Sequence, residues 1–95
     1  MNAAERSAAI HARISASLQP VELAVEDESH LHIGHEGARD GRGHFRVRVV
    51  SERFAGLGAL QRHRLVYAAV GDLMQTDIHA LAVAALTLSE AARER

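Results

Sequence analysis

Between Ala3 and Leu18 the apolar residues Ile10, Ile14 and Leu18 fall four apart, with Arg6, His11 and Arg13 off that line. This spacing predicts an amphipathic helix, closed where Pro20 pushes Gln19 out of helical space. Val21, Leu23 and Val25 then alternate with Glu22, Ala24 and Glu26, the period of a strand with one wet face, ending at the acidic Asp27-Glu28. From Ser29 to Gly43 the pattern dissolves into glycines 34, 37, 41 and 43 mixed with histidine and charge, a connection longer than an ordinary hairpin. Phe45, Val47 and Val49 alternate with Arg46 and Arg48 as a second strand, antiparallel to the first if the connection is a hairpin. Phe54-Ala55-Gly56-Leu57-Gly58 reads as a turn, and a second helix is expected from about Ala59 to Leu73 with Leu60, Tyr67, Val70 and Met74 facing inward. Thr76-Asp77 ends it. Ile78 to Leu86 is an apolar run read as a buried strand after a crossover helix. Thr87-Leu88-Ser89-Glu90 matches a capping box that opens a short terminal helix.

The predicted order is therefore α-β-β-α-β-α, an α+β domain with a three-stranded mixed sheet and helices packed on it. At 95 residues, one domain spanning 1–95 is expected. A strand, helix and strand in one sheet are almost always joined as a right-handed parallel unit. The second and third strands then start at the same sheet edge, where the first strand ends. The connection carrying His30, His32 and His35 should hang at that edge beside His44 and His79, with His63 at the opposite one.

Composition changes the picture in two ways. The chain is 47% hydrophobic and 24% charged, ordinary for a folded soluble protein, and its net charge of −1 creates no global field toward nucleic acid or an anionic membrane. No apolar stretch approaches the length of a membrane span and the N-terminus lacks a signal-like run, so a cytoplasmic location without membrane contact is expected. Seven histidines stand against no cysteine at all, so any metal chemistry runs through imidazole and none through thiolate. Enzymatic catalysis is not expected, because no nucleophile with a placed base and no suggestive carboxylate pair is visible.

The residues themselves carry a resemblance. Asp27-Glu28-Ser29-His30, Gly43-His44-Phe45-Arg46-Val47, Val50-Ser51, Arg53-Phe54-Ala55-Gly56, Arg62-His63-Arg64-Leu65-Val66-Tyr67 and Ile78-His79-Ala80-Leu81 resemble the BolA family, in order and over nearly the whole chain. The terminal helix departs from many members by having Ala91-Ala92 where they have tryptophan. The resemblance implies a fold likened to class II KH domains. It further implies a non-enzymatic adaptor that pairs with a monothiol glutaredoxin, the two proteins sharing a [2Fe-2S] cluster in iron-sulfur assembly and trafficking or in iron regulation, with no cofactor when alone. By that resemblance His79 is one metal ligand and a loop histidine the other, His32 by its spacing after Asp-Glu-Ser, with His35 as its rival.

The chemistry agrees with a shared site. Two neutral imidazoles without thiolate leave a metal site incomplete, so a partner has to finish it. Two histidines on one iron with thiolates on the other is an arrangement known from Rieske centres, and in the family picture the glutaredoxin cysteine and glutathione supply the sulfur. His44 is expected to orient the loop through an edge hydrogen bond, and His63 to be structural. A zinc or nickel site built by the loop histidines alone is a lesser alternative. Members of the family are also described as transcriptional regulators, and a DNA-binding alternative would use Arg53, Arg62 and Arg64, with Arg46 and Arg48, beside the Gly56-Leu57-Gly58 turn. That turn departs from the G-x-x-G clamp of KH domains, and stacking aromatics are scarce.

Overall fold

The computed structural model describes residues 1–32 and 41–94, with the backbone alone for residues 31 and 32. Helix α1 (Ala3–Leu18) starts at a capping box in which the Asn2 side chain accepts from the Glu5 amide and Glu5 returns to Asn2. It ends where Gln19 turns left-handed at φ 46°. Strand β1 (Glu22–Asp27) follows, then a 3-10 turn at Ser29–His32 and strand β2 (Gly43–Val50). A 3-10 turn at Glu52–Phe54 leads to helix α2 (Ala59–Val70), the short helix α3 (Leu73–Thr76), strand β3 (Ile78–Leu86) and helix α4 (Leu88–Arg93).

The sheet order is β1-β2-β3, with β1 antiparallel and β3 parallel to the central β2. This is the mixed three-stranded sheet expected from the pattern. Ile10, Ile14 and Leu18 of α1 and Val66 and Val70 of α2 pack with Phe45, Val47 and Val49 of β2, Leu81 of β3, Phe54 and Leu73 into one buried cluster. The opposite face of the sheet is wet. There Arg46 pairs with Glu28 at 3.1 Å, and Arg48 with Glu22 at 3.2 Å and Glu94 at 2.9 Å.

Three expectations are corrected. The inward face of α2 is set by Val66 and Val70, whereas Leu60 is 63% exposed and Tyr67 39% exposed. Tyr67 instead lies along the margin of β3, its hydroxyl donating to the Leu81 carbonyl at 3.2 Å. Helix α2 ends at Val70, because Gly71 adopts φ 57° and Arg13 Nη1 caps the Val70 carbonyl at 2.8 Å while pairing with Asp72. Finally, β3 is an edge strand in which Ile78 and Leu81 alone are buried; Val83 and Ala85 are partly buried against the core, and Ala80 and Ala84 are exposed.

The first turn of helix α4 is tied down by an ion pair. Arg62 contacts Glu90 at 2.6 Å and donates to the Leu57 and Ala85 carbonyls, while the Thr87 amide donates to Glu90 at 2.8 Å. The Arg62 guanidinium, then the Thr87 amide, hold the Glu90 carboxyl down at about 2 against its ordinary 4.5. A carboxyl with a depressed folded-state pKa contributes stability above its unfolded value and loses it as pH falls through the folded one. The stability gap between the wild type and Glu90→Gln is therefore expected to be constant above about pH 5 and to shrink between about 4.5 and 2, as read by urea unfolding across pH. A gap independent of pH over that window would show the pair to be silent.

Candidate functional site

The ends of β1 and the starts of β2 and β3 meet at one edge, since Asp27 opposes Phe45 and Gly43 opposes Ile78. The turn after β1 is fixed by short polar contacts. Asp27 Oδ1 accepts from the Ser29 amide at 2.9 Å, Ser29 Oγ accepts from the His44 amide at 3.0 Å, and the His44 carbonyl accepts from the Glu28 amide at 2.8 Å. Asp-Glu-Ser is thus a local lock between the end of β1 and the start of β2, made through the backbone of His44.

The pairing of β2 with β3 jumps from Gly43–Ile78 to His44–Ala80, which leaves His79 as an extra residue in a bulge. A bulge re-aims a side chain and kinks the strand that carries it. Here it lets Ile78 and Leu81, three residues apart, both point into the core, and it leaves His79 exposed. The His79 ring lies 5.1 Å from that of His44, centroid to centroid and tilted by 45°. His79 Nδ1 also stands 3.2 Å from Arg42 Nη2. Behind the bulge, Gly43 donates to the Asp77 carbonyl at 2.9 Å, and Arg6 pairs with the Asp77 carboxylate at 3.1 Å. The Thr76 hydroxyl, then Arg6, hold that carboxyl below its usual range.

Gly43 has to be glycine for reasons of space. A Cβ there would sit 2.6 Å from Phe45 Cε2 and 2.9 Å from Ser29 Oγ, and the Phe45 ring is buried. Gly43→Ala is expected to cost about 1–3 kcal/mol through overpacking and to shift the His44 and Ser29 amide resonances. Equal stability with unmoved resonances would mean that the edge tolerates the added methyl group.

Of the residues singled out in the sequence, His79 and His44 are brought together and His30 is exposed in the 3-10 turn. His32 is described in backbone only, in that same turn, and His35 lies outside the described residues. His63 sits elsewhere: its ring meets Tyr67 edge-on at 6.5 Å, and it shares a shallow cavity of about 350 Å³ with Ala85 and Glu90. Ala85 is about 20 Å along β3 from His79, at roughly 3.3 Å per residue. Of the arginines, Arg62 is committed to Glu90 and two carbonyls, Arg53 donates to Gln19 at 3.1 Å, and Arg64 is exposed. Arg42 was not singled out by sequence reasoning. No periodicity marks it, and only the meeting of two strand starts brings it to His79.

The donors at this edge suit half of a metal site. Imidazole nitrogen binds iron, and the chain has no sulfur donor of the thiolate kind. Among the described residues no group of three His, Cys, Asp or Glu side chains could hold an ion by itself. Nor is any described helix long and apolar enough to cross a membrane.

An α+β domain with a β-β-α-β sheet and a bulged histidine at the edge where its strands begin is thereby defined. The chain belongs to the BolA-like protein family, whose family model matches residues 14–90. It is 39% identical over 88 residues to the chloroplastic protein BOLA1 of Arabidopsis thaliana, covering 90% of this chain and 55% of that protein. It is 40% identical over 81 residues to the DNA-binding transcriptional regulator BolA of Escherichia coli strain K12, covering 85% of this chain and 74% of the relative. Among solved structures, the BolA domain of SufE1 from Arabidopsis thaliana superposes with a TM-score of 0.80 at 37% identity, covering 95% of this chain and 98% of that one. The chain thus spans about half the length of the chloroplastic relative.

Proposed function

We propose that this protein is a non-enzymatic adaptor that docks a monothiol glutaredoxin and co-ligates a bridging [2Fe-2S] cluster, for assembly, trafficking or iron regulation. His79 is one ligand and a histidine of the loop after β1, His32 or His35, is the other; the glutaredoxin cysteine and glutathione supply the thiolates. The observation that carries this reading is the bulge, which uses a ladder position to turn an imidazole outward at an edge where the described residues offer too few donors to close a site. The bound cluster would supply redox-active iron. The chain's own part is to hold His79 in place through the strand pairing and to leave room for foreign sulfur.

The test is a titration of the chain into a glutathione-bound, cluster-loaded monothiol glutaredoxin, followed by visible circular dichroism. A new spectrum at one chain per cluster is expected, and an unchanged spectrum overturns the reading. In the same titration, whichever of His32→Ala and His35→Ala loses the change is the loop ligand.

A second reading, direct DNA regulation, draws on the name of the Escherichia coli relative and on exposed Arg53 and Arg64. A gel-shift series would show affinity falling steeply with salt if phosphates are contacted. With Arg46, Arg48 and Arg62 all in ion pairs, weak binding at low salt and none above about 0.15 M is expected. No binding even at low salt would end this reading.

A further inference from the structure

Arg42 immediately precedes β2 and reaches across to the start of β3, with Nη1 3.5 Å from the Met74 carbonyl within α3 and Nη2 3.2 Å from His79 Nδ1. A guanidinium has donors only, so this contact requires a bare Nδ1, and a neutral imidazole then carries its proton on Nε2. In that state neither ring nitrogen is ready for a metal, because one lone pair faces Arg42 and the other nitrogen is protonated. A metal must displace the guanidinium from Nδ1, or take Nε2 after the proton has moved to Nδ1, which likewise breaks the contact. Either way the ion arrives beside a fixed positive charge.

We propose that Arg42 makes this edge selective, holding the His79 imidazole against bare divalent cations while leaving it open to a thiolate-ligated cluster. Charge decides between the two. A free Zn²⁺ brings its full double charge against the guanidinium. A [2Fe-2S] core of two ferric ions and two sulfides also carries a double positive charge, but two thiolates cancel it, and the carboxylates of glutathione offer the displaced guanidinium a new acceptor. The second half of this inference rests on the adaptor reading, and the first half does not.

Arg42→Met removes the charge and the donors while keeping the bulk, and Arg42→Lys keeps the charge. Zn²⁺ is titrated into the partner-free chain and followed at the His79 ring resonances, with His79→Ala identifying the signal. Arg42→Met is expected to bind Zn²⁺ about ten-fold more tightly than the wild type, with Arg42→Lys close to the wild type. Cluster capture from the loaded glutaredoxin is expected to be no tighter in Arg42→Met than in the wild type. Equal zinc affinity in wild type and Arg42→Met overturns the proposal, as does a lysine variant as tight as the methionine variant. Equal tightening toward zinc and cluster overturns it too, because Arg42 would then be a simple steric cover. A wild-type chain that takes no cluster counts against the adaptor reading alone, since the zinc arm needs no partner.

Discussion

His79→Ala is expected to abolish the spectral change on titration with cluster-loaded glutaredoxin, while leaving the fold intact. His79 is the extra residue of the β2–β3 bulge and is exposed, so its truncation removes no core contact and breaks no ladder pairing. A change at such a position falls within about 0.5 kcal/mol of wild-type stability. Loss of one of two imidazole ligands, by contrast, leaves an iron one donor short, so the loss of capture should be complete rather than graded. His63→Ala, at the far end of β3 beside Tyr67 and Ala85, is the internal control and should retain full capture. Normal capture by His79→Ala would remove the bulged imidazole from the site.

Phe54→Ala is expected to produce the largest loss of stability among single truncations, about 3–5 kcal/mol. Phe54 closes the 3-10 turn after β2, is fully buried, and joins the cluster built by Ile14, Val49 and Val70. For a domain whose whole stability is roughly 5–14 kcal/mol at this length, that leaves the variant marginal, with a urea midpoint well below half that of the wild type at the low end of the range. Leu60→Ala is the informative contrast. Its side chain is equally apolar in sequence but 63% exposed, so its truncation should cost no more than about 0.5 kcal/mol. Comparable losses from the two would place Leu60 back in the core.

That contrast marks where the sequence was readable. Ile10, Ile14 and Leu18 admit only one buried face for α1, and all three are buried. Helix α2 offers two faces of similar apolarity, Leu60 with Tyr67 and Val66 with Val70, and the periodicity alone does not choose between them. The choice falls to the neighbour: the narrow valines fit over the sheet, while Tyr67 keeps its hydroxyl on the Leu81 carbonyl at the rim. For β3, the unbroken apolar run announced a strand but not that one face would lack a covering helix. Ala80 and Ala84 are small enough to be left exposed at little cost.

The candidate site was legible through topology. The right-handed β-α-β unit put the starts of β2 and β3 at one edge, and the His44–His79 ring pair lies there. The bulge was written in the sequence as a fault in the alternation. Ile78 and Leu81 are three apart, whereas Leu81, Val83 and Ala85 keep a period of two, and an extra residue has to be absorbed before Leu81. Arg42 left no such trace. Its role depends on a reach between two strands that no local pattern encodes.

The most direct test of the account is pulsed electron paramagnetic resonance of the reduced cluster, in a complex of glutaredoxin with this chain carrying ¹⁵N-labelled histidine. Coupling of the label to the cluster spin from two imidazoles in the wild type, and none with His79→Ala, which captures no cluster, is the predicted result. A cluster spectrum showing no coupling to the labelled histidines would contradict it, because the sulfur ligands would then hold the iron without this protein.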